Sequence, residues 1–189
     1  MSIANFKRSL FILNQIVYFD DNDFLREKSS NVLEMQKIIL KAEELLNQTK
    51  NEEDLYFIYG TLGNLYRIIG QPKKALVYLT FCLDFAQKKG NIRKEIVSLI
   101  RLGEAQKYDN QHLMALETFN EALKKCIDHD ETDYKDFILQ HKGKCLMELG
   151  KAEKCLLKSL NIRKMKNDNT LITSTQKALD FVYSMKNSN

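Results

Sequence analysis

Three glycines set inside otherwise strong helical patterns constrain this chain more than any other feature. Leu62-Gly63 recurs as Leu102-Gly103 and again as Lys142-Gly143, at an interval of forty residues. A glycine in a helix interior costs about 1 kcal/mol relative to alanine, and a loss repeated at one fixed spacing marks a structural unit that is itself repeated. The same interval links Ala75 with Ala115 and Cys155, Leu79 with Phe119, and Ala42 with Cys82, Ala122 and Ile162. Gly70 and Gly150 bracket Asn110 midway between them, and glycine and asparagine are the residues that most readily take the left-handed conformation at a helix end.

Each unit reads as two amphipathic helices joined by a tight turn. In the first full unit a helix over about 52–69 stops at Gly70. Pro72 opens the next helix, where its missing N–H is no loss, and Gly90-Asn91 ends that helix near Lys89. The spacing then predicts helices near 92–108, 112–127, 132–149 and 151–165, with helices over 4–19 and 31–48 before them and a closing helix near 169–185. That gives about nine helices in one domain spanning 1–189, with units at about 4–50, 52–90, 92–129 and 132–166. One proline, seven glycines and 44% hydrophobic residues suit an all-α body with a continuous core. Close packing of paired helices is expected to set Gly63 against Ala75, Gly103 against Ala115 and Gly143 against Cys155. In the third hairpin, Ala152 and Ser159 also align as the small pair, which implies a deletion of three residues.

Tyr59, Leu62-Gly63, Tyr66, Gly70, Ala75, Leu79 and Cys82, followed by Leu102-Gly103, Ala115, Phe119 and Ala122, resemble the tetratricopeptide repeat (TPR) family over roughly residues 31–185. The usual TPR unit has about 34 residues, so the forty-residue period implies longer helices, similar to those of kinesin light chains and of Rap/PlcR-type regulators. The proline that usually closes each unit is absent, and Lys142 stands where leucine is usual. The resemblance implies a superhelical solenoid of antiparallel helix pairs whose concave face, lined by the first helix of each unit, binds a protein or peptide.

Helical spacing puts Phe57, Thr61, Asn64 and Ile68 on one stripe, Val97, Arg101, Glu104 and Tyr108 on a second, and Phe137, His141, Lys144 and Glu148 on a third. Arg67, Arg101, Lys107, His141 and Lys144 tilt this surface cationic, and the Asn64 amide can bond a peptide backbone, so an extended acidic or carboxylate-ending peptide is the expected ligand. The expected binding residues are Phe57, Thr61, Asn64, Arg67, Arg101, Glu104, Lys107, Tyr108, His141 and Lys144. The family's clamp for chaperone tails uses two lysines, two asparagines and an arginine; only Asn64 matches, with Gly60, Arg101, Phe137 and His141 in the other places. The alternative reading is a peptide-responsive regulatory or immunity-type protein that inhibits one specific partner, with an RNA-binding array behind it.

Other chemistry finds little support. The charge of +4 is spread in mixed runs with no continuous basic block, which argues against a nucleic-acid partner. The apolar run in residues 1–19 is interrupted by Asn5, Lys7, Arg8, Asn14 and Gln15, and reads as a packed helix, not a membrane span or signal peptide. Cys82, Cys126, Cys145 and Cys155 fall on apolar helix faces without a secretory signal, so reduced thiols in the cytoplasm are expected. Cys126, His129, His141 and Cys145 have zinc-like spacing, but an intervening helix would carry His141 too far along to converge. The segment around Asp128 and Asp130 lacks the glycine and the bidentate glutamate of a calcium loop, and is expected to cap a helix through Asp130 or Thr132; residues 18–24 read as an interhelix turn. With no phosphate-cradling loop and no catalytic triad, neither an enzyme nor a cofactor is expected.

Overall fold

The computed structural model describes residues 2–187. Eight helices form the body: α3 (Val32–Gln48), α4 (Glu52–Ile68), α5 (Pro72–Lys88), α6 (Ile92–Tyr108), α7 (His112–Asp128), α8 (Lys135–Met147), α9 (Glu153–Met165) and α10 (Asn169–Asn187). Before them come α1 (Ile3–Ser9), α2 (Leu13–Ile16) and two short strands, β1 (Val17–Asp20) and β2 (Arg26–Ser29). The pairs α4/α5, α6/α7 and α8/α9 are antiparallel hairpins, each packed on the next, and the first helices α4, α6 and α8 also touch one another directly.

The repeat is written in the helix ends. Helices α3 to α7 are 17 residues each, and the chain takes a left-handed residue at Gly70, Gly90, Asn110, Asp130 and Gly150, one every twenty residues. The residue after each of these donates its N–H five residues back, from Gln71 to Tyr66 O, Asn91 to Ala86 O, Gln111 to Gln106 O, Glu131 to Cys126 O and Lys151 to Leu146 O, which satisfies carbonyls that a helix end leaves free. Asn31, Asn51 and Asn91 accept the N–H three residues on and so start α3, α4 and α6. Asp130 does not cap α8 as expected: it is the left-handed end of α7, and the next unit opens with a 3-10 turn, Thr132–Tyr134, that has no side-chain cap.

The repeating glycines face large side chains, not the small ones expected. A Cβ on Gly63 would lie 2.5 Å from Leu79 Cγ, one on Gly103 would lie 2.6 Å from Phe119 Cε1, and one on Gly143 would lie 2.6 Å from Leu156 Cδ2. Leu79 and Phe119 are forty residues apart but Leu156 follows after 37, which is the three-residue deletion. Ala152 and Ser159 accordingly take the buried places of Ala75 and Cys82, while Cys155 is left half-exposed. The next left-handed residue, Asn167, likewise arrives three residues early.

The N-terminal segment departs from the expected helix over 4–19 and turn over 18–24. Helix gives way after Ile16, and β1 pairs antiparallel with β2 in the register Val17 with Ser29 through Asp20 with Arg26. The run Val17-Tyr18-Phe19, β-branched and aromatic, suits a strand. At the tip Asp20 Oδ1 accepts from Asn22 N at 2.9 Å, and Phe24 and Leu25 both take left-handed backbone at φ 50° and 56°. Bulky residues rarely adopt that region. Tertiary contacts hold them there: Leu25 is 3% exposed among Met147, Leu156 and Val182, and the Phe24 ring stands edge-on to Phe181 at 6.2 Å. The hairpin therefore crosses the concave face from α3 to the α8–α10 end. Among the described residues no helix is long and apolar enough to cross a membrane.

Candidate functional site

The concave walls of α4, α6 and α8 bring Arg67, Glu104, Lys107, Tyr108, His141 and Lys144 to one polar floor, and β2 lies over it. Arg67 Nη2 donates to Glu27 at 2.5 Å, while its Nη1 stands 3.8 Å from Glu104. Lys107 Nζ and His141 Nδ1 approach the other Glu104 oxygen at 3.1 and 3.0 Å. Glu27 N donates to Tyr108 Oη at 2.5 Å, and the Arg67 guanidinium sits over the Tyr108 ring. Next along β2, Arg26 grips Glu148 through Nε at 3.0 Å and Nη2 at 2.6 Å, and His112 Nε2 meets the same carboxylate at 2.6 Å.

Burial opposes an ionised Glu104, but Lys107, His141 and Arg67 outweigh it and hold the carboxyl well below its usual range. Burial likewise opposes ionised Glu27, and Arg67 reverses the sign. At Lys144 burial wins: Glu104 and Glu27 oppose it only in part, and the ammonium is pushed down to about 8. The floor is incompletely satisfied: among the described residues Arg67 Nε and Nη1 and both amide atoms of Gln140 have no hydrogen-bond partner, and Glu104 Oε1 and His141 Nδ1, though 3.0 Å apart, are not aligned for a hydrogen bond.

The groove was expected to be exposed, and much of it is not. Arg67, Lys107 and Lys144 are 6%, 1% and 8% exposed because the hairpin covers them. Phe57 packs with Phe6 in the N-terminal core, and Thr61 donates to Phe57 O at 2.8 Å. Arg101 remains half-exposed, lying over the notch left by Gly60, and no carboxylate among the described residues stands within ion-pair distance of it. Two open cavities flank the covered floor. One of about 460 Å³ lies between the N-terminal segment and α4, reaching Val17, Phe19, Thr61 and Asn64. The other, about 370 Å³, is walled by Val97, Ile100, Arg101, Phe137 and His141. They share Glu27, Asn64 and Arg67, so the Glu27–Arg67 pair is the partition between them.

Glu27, Phe19 and Gln140 were not anticipated. Gln140 lies one residue off the expected stripe, and the two hairpin residues carry no local mark that they fold back onto the groove.

No family model and no curated protein matches the sequence. Solved structures do match its fold. A Rap protein complexed with Competence and Sporulation Factor shares 18% identity at TM-score 0.76, over 97% of this chain and 48% of its own. The apo form of RapI shares 14% at TM-score 0.68, over 97% of this chain and 63% of its own. PlcR from Bacillus thuringiensis, in complex with the peptide PapR7 and DNA, shares 18% at TM-score 0.54, over 81% of this chain and 50% of its own. This chain thus spans about half to two thirds of those proteins. The Podosopora anserina kinesin light chain TPR-like repeats match at TM-score 0.62 and 15% identity, over 82% of this chain and 80% of theirs. The regular helix pairs, the glycine contacts and these likenesses together establish that the chain has the TPR-like helical repeat fold.

Proposed function

We propose that the chain is a non-enzymatic peptide- or protein-binding module that takes an extended acidic segment in the concave groove. The observation that carries this reading is Arg101: a guanidinium with no carboxylate of the described residues in reach, beside the apolar wall of Val97, Ile100 and Phe137 in a cavity of about 370 Å³. An acidic side chain on Arg101, with the Asn64 amide on the ligand backbone, matches charge-assisted recognition of an extended peptide. The Rap and PlcR structures captured with a factor and a peptide support the same reading.

A peptide-responsive regulatory role is favoured by one further observation. Glu27 of the hairpin already occupies Arg67, so an incoming acidic segment meets an internal competitor.

The test is anisotropy of fluorescent hexapeptides of alternating leucine and glutamate with a free C-terminus. Saturable binding is expected, and Arg101→Glu should weaken it at least tenfold while leaving the melting temperature unchanged, because Arg101 makes no ion pair among the described residues. Equal binding by the variant, or no binding by the wild type, overturns the proposal.

A further inference from the structure

We propose that the small cavity beneath the hairpin is a carboxylate site formed by Lys144 and Gln140, receiving one carboxylate of the ligand whose body fills the adjoining groove. The inference deepens the peptide reading and rests on it.

Lys144 is 8% exposed, and among the described residues it has neither an ion pair nor a hydrogen bond; its Nζ instead sits 4.2 Å from the centre of the Phe19 ring. A buried ammonium without an anion is costly, and proteins keep such groups where a ligand completes them. One turn earlier on the same face of α8, Gln140 is 4% exposed and both its amide nitrogen and its amide oxygen lack partners. Both side chains line one cavity of about 200 Å³.

The charges around that cavity do not balance. Of the two carboxylates that line it, Glu27 is taken by Arg67 from outside the cavity and Glu104 by Lys107 and His141, so among the described residues Lys144 is left without a carboxylate contact. Arg163 also reaches the cavity but is committed to Asp136 at 2.9 Å. An added carboxylate can take a charge-assisted bond from Lys144 and a second bond from the Gln140 NH₂. The volume admits a carboxylate and its nearest carbons but no longer segment. The neighbouring cavity shares Glu27, Glu104, Phe137 and His141 with it, which gives the rest of the ligand a continuous path.

The experiment is an amide-detected NMR titration of the full chain with sodium acetate at constant ionic strength, with chloride as the control. Saturable shifts at Gln140, Lys144 and their α8 neighbours are expected, absent with chloride and absent in Lys144→Met; Gln140→Leu should weaken them several-fold. No saturable acetate effect, or the same effect in Lys144→Met, overturns the site. A second arm compares the leucine–glutamate hexapeptide as free acid and as C-terminal amide. Loss of the Lys144-dependent shifts with the amide makes the terminal carboxylate the occupant, and equal shifts make it a glutamate side chain. If acetate binds but no peptide does, the peptide reading fails and the anion site stands. If peptide binds through Arg101 but acetate leaves Lys144 unmoved, this inference alone fails.

Discussion

Glu27 on the hairpin and Arg67 on α4 meet at 2.5 Å, and the rest of the Arg67 guanidinium has little else to hold: its Nε lacks an acceptor and Glu104 stands 3.8 Å from Nη1. Burial works against the Arg67 charge, yet Glu27, Tyr108 and Glu104 together raise its pKa. Removing one member of such a pair leaves a buried charge short of a partner. Glu27→Gln is therefore expected to cost about 1–3 kcal/mol, read as a lower urea midpoint with unchanged m-value. An unaltered midpoint would show that the hairpin does not rest on Arg67.

A second buried pair ties the last helix down. Asp136 is 0% exposed and accepts from Arg163 Nε at 2.9 Å and Lys166 Nζ at 2.6 Å. Arg163 in turn donates to Thr175 Oγ1 at 2.6 Å and Leu171 O at 3.1 Å, both on α10. Asp136→Ala strands Arg163, itself 2% exposed, and should destabilise by about 3–5 kcal/mol. Hydrogen exchange should show α10 losing protection first; uniform loss across all helices would contradict this local coupling.

The glycine contacts make a sharper claim. The Cβ that any substitution at Gly103 adds would fall 2.6–3.0 Å from three atoms of the Phe119 ring, which is 0% exposed and cannot swing aside freely. Gly103→Leu is expected to lose roughly 1–3 kcal/mol by overpacking, in spite of leucine's better helix propensity. A gain in thermal midpoint would mean that the two helices do not meet at this point.

These residues also show what a sequence of this kind discloses. Helix ends were legible at 70, 90, 110 and 150 because left-handed caps favour glycine and asparagine; the end at 130 carries an aspartate, which reads equally well as the cap of a following helix. The partners of Gly63 and Gly103 were misjudged by one helical turn and that of Gly143 by one residue, since a period reports that two helices pack but not which turn of one lies against the other. The hairpin was not legible, for Phe24 and Leu25 have no local reason to be left-handed and are held so only by distant residues such as Phe181 and Met147. The charged side chains of α4, α6 and α8 do meet on one face, as helical spacing implies. Their burial was missed because charged side chains are seldom covered unless a segment far away in sequence supplies their partners.

Lys144 gives the floor a measurable pH response. Its ordinary value is 10.5, and burial holds it near 8 in the folded protein despite Glu104 and Glu27, with Lys107 and Arg67 adding to the depression. Below about pH 8 both folded and unfolded chains carry this proton, so the cost of burying the charge is fully present. Between about 8 and 10.5 the unfolded chain binds a proton that the folded chain does not, and stability from this group rises with pH, by about 3 kcal/mol in all. Above about pH 10 the trend is opposed by Tyr66 and Tyr108, whose hydroxyls burial holds protonated past the range in which unfolded tyrosine ionises. The informative window is accordingly pH 8 to 10. Lys144→Met should be more stable than wild type at pH 7, and the gap should close across that window in urea titrations. Parallel pH profiles for the two proteins would mean that Lys144 is solvated or already paired.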